Sequence, residues 1–357
     1  MTLFNKALWL KNYKQSKFVV WGLWLVCLYF PYKLNNYLSI EENSLLHWDE
    51  WGNSEPYTLH FGNFLEVGLF QVLACILLAT ALIGLERTNQ SFDFTLALPY
   101  KRSDIFFSKW IFGVFHLTVA VAVSVLISMF VLGNSLLNEY LPLAALGYYF
   151  LIALATLIGV FTFSLFIGLI GASFVSQFAF SLIFLFLPYG LYNLVMQGIS
   201  THYRAITGDY FIKEKYGIQG FDVYAENLSF PLLLLDFEHG INEIFVWKQA
   251  TFLSELSVII IPILVTILSL YLIKRLSTRI KSENNGKILA YENLLPYLKV
   301  GVLICFYLFG GMVFGQSNRY NEPPNLLSYH LGGLGFSIIA YFILTKIAGM
   351  RMQFGKK

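Results

Sequence analysis

Apolar residues in this chain come in long blocks and do not alternate with polar ones. A helix needs about 20 apolar residues to cross the hydrocarbon core of a bilayer. Eight blocks approach or exceed that length: 18–34, 66–85, 110–132, 141–170, 174–195, 253–273, 297–315 and 329–348. The pattern predicts an all-α fold, a polytopic membrane helical bundle of about eight transmembrane helices. The fourth and fifth blocks form one nearly unbroken stretch, and Gly168 and Gly171 permit a tight turn that divides it within 168–173. Residues 1–17 place Leu3, Phe4, Leu8 and Trp9 on one side with lysines around them. That distribution predicts an amphipathic helix lying in the membrane interface before it turns into the first span. No small-residue cleavage site follows at 35–40, so the first block reads as a retained membrane helix.

Composition excludes a soluble globular domain. Of 357 residues, 57% are hydrophobic and only 13% charged, against about 25% charged in soluble domains. The net charge of +3 is small, but its distribution gives direction. Lys6, Lys11, Lys14 and Lys17 precede the first span, and Arg87, Lys101, Arg102 and Lys109 lie between the second and third. Lys274, Arg275, Arg279, Lys281, Lys287 and Lys299 separate the sixth and seventh, and Lys346, Arg351, Lys356 and Lys357 follow the eighth. The opposite side holds Arg204, Lys213, Lys215, Lys248 and Arg319, with Lys33 snorkelling at the border. Only one orientation satisfies the positive-inside rule, and it puts both termini in the cytoplasm of a multi-pass cell-membrane protein. Two external loops are substantial, an acidic one at 35–65 and a mixed one at 197–252, and each is expected to cap the outer mouth. The bilayer is the environment implied, and nucleic acid is not an expected partner.

Catalytic signatures are missing. No phosphate-binding GxxxxGK[ST], HExxH, GxSxG or helix-opening GxGxxG occurs. Cys27, Cys75 and Cys305 lie inside apolar blocks without CxxC spacing. The six histidines are scattered; His47 beside Asp49 and Glu50, and His239 beside Glu238, fall short of the three or four converging ligands of a closed metal site. His116 lies inside the third span and is expected to hydrogen-bond to a neighbouring helix. Carboxylates avoid the middle of the spans, Glu66 and Glu255 sitting at external ends, which argues against a proton- or sodium-driven carrier.

The most informative stretch is Gly84 to Trp110, GLERTNQSFDFTLALPYKRSDIFFSKW, on the cytoplasmic side. Glu86 and Arg87 stand at a helix end. An amphipathic run follows, with Phe92, Phe94, Leu96 and Leu98, and Pro99 closes it. Lys101 and Arg102 come next, Ser103 and Asp104 offer an N-cap, and Lys109 opens the next span. These apolar residues have no span of their own, so a groove on a partner is their expected burial site.

This segment resembles the type-2 ABC-transporter permeases. Their loop after the second span runs Glu-Arg, a polar stretch, a leucine-rich pattern ending in Leu-Pro, a basic pair, and then a lysine opening the next helix. Glu86, Arg87, Leu96, Leu98, Pro99, Lys101, Arg102 and Lys109 occupy those positions. The two extra spans, and the stretch 279–296 with Glu283, Asn284, Gly286, Lys287 and Pro296, are similar to the longer permeases of Gram-positive antibiotic-responsive exporters of the cell envelope, including the Ytr-type systems. The resemblance implies a non-catalytic permease subunit of an ATP-driven exporter. A separate cytoplasmic ATPase would bind ATP and Mg and rest on the loop 86–109, and a second permease chain, the same or related, would complete the path. It also implies an amphipathic peptide, an antibiotic or a cell-envelope component as substrate. The organisation expected is an interfacial helix at 1–17, a six-helix core at 18–273, and a connector with two further spans at 274–357. Two other classes stay open: a membrane lipid or glycan transferase using Asp49 and Glu50 beside Trp48 and Trp51, and a sensor scaffold that transports nothing.

The charge distribution makes topology testable. Single cysteines at Asn43, Gln219 and Asn321 are expected to react with an impermeant thiol reagent in intact cells, and cysteines at Asn89 and Asn284 are not. Labelling of Asn284→Cys from outside would overturn the orientation.

Overall fold

The computed structural model describes residues 6–48, 57–62, 64–209, 220–280, 285–315 and 324–350. Its helices, in chain order, begin with α1 (Lys6–Leu46), α2 (Leu65–Leu82), α3 (Gly84–Thr88), α4 (Phe92–Leu96) and α5 (Arg102–Gly133). Next come α6 (Ala144–Ile170), α7 (Phe174–Thr207), α8 (Phe221–Leu228), α9 (Leu232–Leu235) and α10 (Phe237–Ile241). The last are α11 (Phe252–Leu256), α12 (Ile260–Ser277), α13 (Leu295–Gly315) and α14 (Leu326–Gly349). No strand forms among the described residues; the single β-bridge joins Gly171 to Leu289. Eight helices are long and apolar enough to span a membrane: α1, α2, α5, α6, α7, α12, α13 and α14. The chain is a multi-pass membrane protein with the helical architecture that its apolar blocks predict.

The first span departs from expectation at both ends. No turn separates residues 6–17 from it; α1 runs unbroken for 41 residues, through Pro31. At a rise of 1.5 Å per residue it is about 61 Å long, well beyond a hydrocarbon core of about 30 Å. The acidic loop expected from residue 35 therefore begins as helix and leaves it only after Leu46. Leu8 and Trp9 of the N-terminal segment meet protein, while Leu3 and Phe4 lie outside the described residues. Leu8, Asn12 and Ser16 are buried, and Trp9 packs edge-on against Phe112 of α5 with ring centroids 4.9 Å apart.

α2 and α6 form the centre. Most of each apolar window is buried inside the chain, whereas α7, α12, α13 and α14 leave broad apolar faces outward, as lipid-facing helices do. α1 packs on α2 and α5, α12 on α6, and α13 on α14. Lipid is as apolar as leucine, so helix association rests on close packing and on hydrogen bonds across helices. Both occur here. Gln71 Nε2 of α2 donates to the Tyr149 hydroxyl of α6 at 2.7 Å, and the Tyr149 ring stacks on Phe30 of α1 with centroids 4.0 Å apart. Trp110 Nε1 donates to Thr162 Oγ1 at 2.9 Å, and Ser124 Oγ donates to the Cys27 carbonyl at 2.6 Å.

The division between the fourth and fifth spans falls within the expected 168–173. α6 ends at Ile170, and Ser173 caps α7, accepting from the Ser176 amide at 3.2 Å while Ser176 Oγ accepts from the Ser173 amide at 3.0 Å. Gly168 is still helical, and it is small because the Gln177 side chain lies against it. Beyond the opposite end of the bundle, the two segments expected to be external meet. Asn242 accepts from the Phe61 amide at 2.8 Å, and Glu238 accepts from the Phe64 amide at 2.7 Å. Phe61, Phe64 and Phe237 are buried beneath this contact. Part of the expected loop 197–252 is helix instead, since α7 continues to Thr207.

Close approach of α3 to α7 depends on one residue. A Cβ on Gly84 would lie 2.8 Å from the Phe174 Cα, a clash with backbone that no side-chain movement relieves. Gly84→Ala is therefore expected to lower the thermal unfolding temperature in detergent, whereas Gly22→Ala, with open space around it, leaves it unchanged. Equal behaviour of the two variants would refute this packing.

Candidate functional site

The stretch 84–109 folds at the end of the bundle where the N-terminal part of α1 and the last turn of α14 also lie, because Lys11 reaches Glu86 and Ile347 packs beside Ile167 and Ile288. Gly84–Thr88 continue from α2 as the short helix α3, α4 follows, and α5 begins at Arg102. The start of α5 is not capped by Ser103 or Asp104. Lys101 holds the N-cap position in extended conformation with no side-chain cap bond, and Ser103 Oγ donates sideways to Asp104 at 3.4 Å.

Glu86 is the centre of this end. It is 3% exposed, and two lysines from two other helices meet its carboxylate: Lys11 of α1 at 2.8 Å and Lys109 of α5 at 2.7 Å. Lys11 also donates to Thr95 Oγ1 of α4 at 2.5 Å, and Lys109 donates to the Leu82 carbonyl that ends α2. Gln15 Nε2 caps the same helix end, donating to the Ala81 carbonyl at 2.7 Å. Burial pushes the Glu86 carboxyl upward, but Lys109 and then Lys11 outweigh it and hold the group below its ordinary value. It therefore stays ionised.

Arg87, fully buried, points the other way round α3. Its guanidinium lies over the Phe92 ring, 4.5 Å from the centroid. It donates to Asn285 Oδ1 at 3.2 Å and to the Leu169 carbonyl at 3.3 Å. Burial lowers its pKa to about 10, with Tyr291 and Glu86 acting in the opposite sense, so it remains charged at neutral pH. Thr88 Oγ1 accepts from the Phe174 amide at the start of α7, at 2.8 Å. Residues 285–290 lie as a strap across the α6–α7 turn. The Gly286 amide donates to Ala172 at 2.7 Å, and the Ala290 amide donates to Ile170 at 2.8 Å. Arg102 Nη1 reaches the Ile280 carbonyl at 3.5 Å.

The ten sequence-selected residues thus divide. Glu86, Arg87 and Lys109 are buried tethers within the chain, and Phe92 is buried against Arg87 and Phe106, which withdraws it from the expected partner-facing set. Leu96 is half-buried against the core. Phe94 is 79% exposed, Leu98 is partly exposed, and Pro99, Lys101 and Arg102 are exposed. Phe94 and Leu98 border a cleft of about 440 Å³ with Lys11, Gln15, Glu86 and Thr95 on its other walls. Lys11 and Asn285 escaped the sequence reading. The signal for Lys11 was a lysine-rich segment beside a spanning helix, since an ionised group there needs a partner; Asn285 carried none.

Elsewhere, His116 differs from expectation. Its Nδ1 is buried without a hydrogen-bond partner among the described residues, and the ring packs edge-on against Phe112 at 4.7 Å. Asp49, Glu50 and Trp51, on which the transferase alternative rests, 210–219 of the loop expected to be external, and Glu283 and Asn284 lie outside the described residues. Among the described residues no three His, Cys, Asp or Glu side chains converge as metal ligands. At the far end, burial raises the carboxyls of Glu226, Asp236 and Glu238 above their ordinary values.

The family model described as ABC-2 family transporter protein matches residues 58–241, from the segment before α2 through α10. The chain belongs to the ABC-2 transporter family. It is also similar to a probable ABC transporter permease, YtrD, of Bacillus subtilis (strain 168), at 28% identity over 110 residues, 30% of this chain and 34% of that protein. The match thus spans about a third of that relative's length. No solved structure matches the chain.

The charge cluster yields a prediction with a sign. Glu86→Gln leaves Lys109 buried without its counter-charge, at a cost of about 3–5 kcal/mol. Adding Lys109→Met to it is expected to recover most of the lost unfolding temperature. Glu86 has a depressed pKa in the fold, so its stabilisation is present above the ordinary carboxylate value of 4.5 and is lost as pH falls through the folded value. The double variant should lose less stability than wild type across that acidic window. Additive losses in the double variant would refute the pairing.

Proposed function

We propose that this chain is the transmembrane permease subunit of an ATP-driven ABC exporter, and that a separate cytoplasmic ATPase docks on the face formed by α4 and the loop to α5. The observation that carries this reading is the contrast within 84–109. Buried tethers hold the segment rigidly to five helices, while Phe94 and Leu98 are left outward beside a cleft with no span to cover them. An apolar pair on an anchored scaffold is suited to receive a push from a partner and pass it into α2, α5 and α7. Membership of the ABC-2 family and the likeness to a probable permease support the reading, as does the absence of a phosphate-binding loop from the chain.

The ATPase supplies the binding of ATP and Mg and the hydrolysis; this chain contributes the path and the coupling face. A second permease chain, the same or related, lines the path with it. The substrate class proposed is an amphipathic peptide, an antibiotic or a cell-envelope component, moved outward.

Side chains of this size contribute about 1.5–3 kcal/mol each when fully buried, and each 1.4 kcal/mol is about tenfold in affinity. Phe94→Asp and Leu98→Asp are therefore each expected to weaken ATPase capture by about 10- to 100-fold, or to uncouple hydrolysis from substrate. Lys101→Ala, an exposed charge, should change little. Co-purification and substrate-stimulated ATP hydrolysis of the reconstituted complex measure both effects, with the isolated chain expected to hydrolyse no ATP. Wild-type behaviour of Phe94→Asp and Leu98→Asp in both assays would overturn the docking face.

A further inference from the structure

At the end of the bundle opposite the charge cluster, α7, α13 and α14 meet around Tyr329. Its ring fits against Gly198, Gly311 and Gly315, where any Cβ would overlap it. One turn along α7 from Gly198, His202 faces His330 of α14. Their Nε2 atoms are 3.3 Å apart, with ring centroids 5.2 Å apart. Both Nδ1 atoms are engaged elsewhere. His202 Nδ1 lies 2.7 Å from the Gly198 carbonyl, and His330 Nδ1 lies 2.6 Å from the Tyr307 hydroxyl. His330 is exposed and His202 half-buried, so the gap between the rings is reachable from outside.

A carbonyl can only accept. His202 therefore carries its proton on Nδ1, and its Nε2 presents a bare lone pair when the ring is neutral. Two imidazole nitrogens bound to one tetrahedral ion at about 2.0–2.1 Å stand about 3.3–3.4 Å apart, and the observed separation agrees. Metal-binding histidines almost always have the second ring nitrogen held by a carbonyl, carboxylate or water, which sets the tautomer and aims the ligand. Gly198 and Tyr307 are placed to do this. The two ligands come from α7 and α14, so an ion between them would tie the α13–α14 hairpin to the rest of the bundle at a second point beside Tyr329.

We propose that His202 and His330 bind a first-row transition-metal ion of the Zn²⁺ or Cu²⁺ class, for which imidazole is a suitable donor, and that the ion staples α14 to α7. With two protein ligands, the remaining coordination positions go to water, which makes the ion exchangeable. Without an ion the same atoms form a chain in which Tyr307 donates to His330 Nδ1, and His330 Nε2 donates to His202 Nε2. Binding moves the His330 proton from Nε2 to Nδ1, where the Tyr307 oxygen accepts it.

The test uses the full chain, free of any affinity tag and stripped with a chelator, in lipid nanodiscs. Addition of Zn²⁺ is expected to raise the unfolding temperature in a saturable way, and His202→Gln or His330→Gln is expected to abolish the rise. Cu²⁺ bound to the wild-type chain should show electron paramagnetic resonance couplings from two imidazole nitrogens. An equal Zn²⁺ response in wild type and His330→Gln, or a Cu²⁺ spectrum with one nitrogen or none, would overturn the site and leave the hydrogen-bonded chain. If the variants fail to fold, the wild-type Cu²⁺ spectrum decides alone. No transport or ATPase assay enters, so failure here leaves the permease reading untouched.

Discussion

One carboxylate between two lysines organises the basic end of this protein. A buried ion pair brings large desolvation costs for every charge, and it is tolerable only when each group is fully met. Glu86 is met by Lys11 from α1 and Lys109 from α5, and Lys109 in turn spends another donor on the end of α2. Three spanning helices are thereby registered against one short helix by a single side chain. Removing Glu86 would leave Lys109, only 1% exposed, as an unpaired buried charge, whereas Lys11 is partly exposed and loses less.

The next residue extends the same logic to the other side. Neighbouring residues on a helix diverge by about 100°, so Arg87 faces away from Glu86 and finds separate partners. It joins α3 to the carbonyl end of α6 and to Asn285 in the strap before α13. The strap in turn pairs backbone to backbone with the α6–α7 turn. A displacement of α3 therefore has two rigid routes: into α1, α2 and α5 through Glu86, and into α6, α7 and the strap through Arg87. The peripheral α13–α14 hairpin is reached by the second route. Besides the strap, it packs on α7, chiefly through α13, with Tyr329 of α14 set against Gly198.

Inside the membrane the adhesive is different in kind. Apolar burial gives little drive where the solvent is itself hydrocarbon, so the centre depends on fitted contacts such as Gly113 beneath Phe161, and on isolated hydrogen bonds such as Gln71 to Tyr149. The segments before α2 and around α10 then close over the centre with an asparagine and a glutamate satisfying backbone amides at Phe61 and Phe64. At that end the carboxyls of Asp236 and Glu238 are raised above their ordinary values by desolvation, a contrast with the depressed Glu86.

The eight spans, the turn at 168–173 and the singular character of 84–109 were all legible in the sequence. Each depends on a local sum: apolar length for a span, closely spaced glycines for a turn, an amphipathic run without a lipid home for the loop. The tertiary structure decided what local sums cannot hold. Phe92 and Phe94 differ by two positions and are alike in chemistry, yet one lies under Arg87 and the other faces out, because Arg87 is itself drawn inward by Asn285, 198 residues along the chain. Lys11 looked like a flanking charge until Glu86, 75 residues away, was placed beside it. His202 and His330, 128 residues apart, carried no sequence signal at all. Hydropathy is additive along a chain and can be read from it, whereas the pairing of buried polar groups is set by which helices touch, and that contact exists only in the folded bundle.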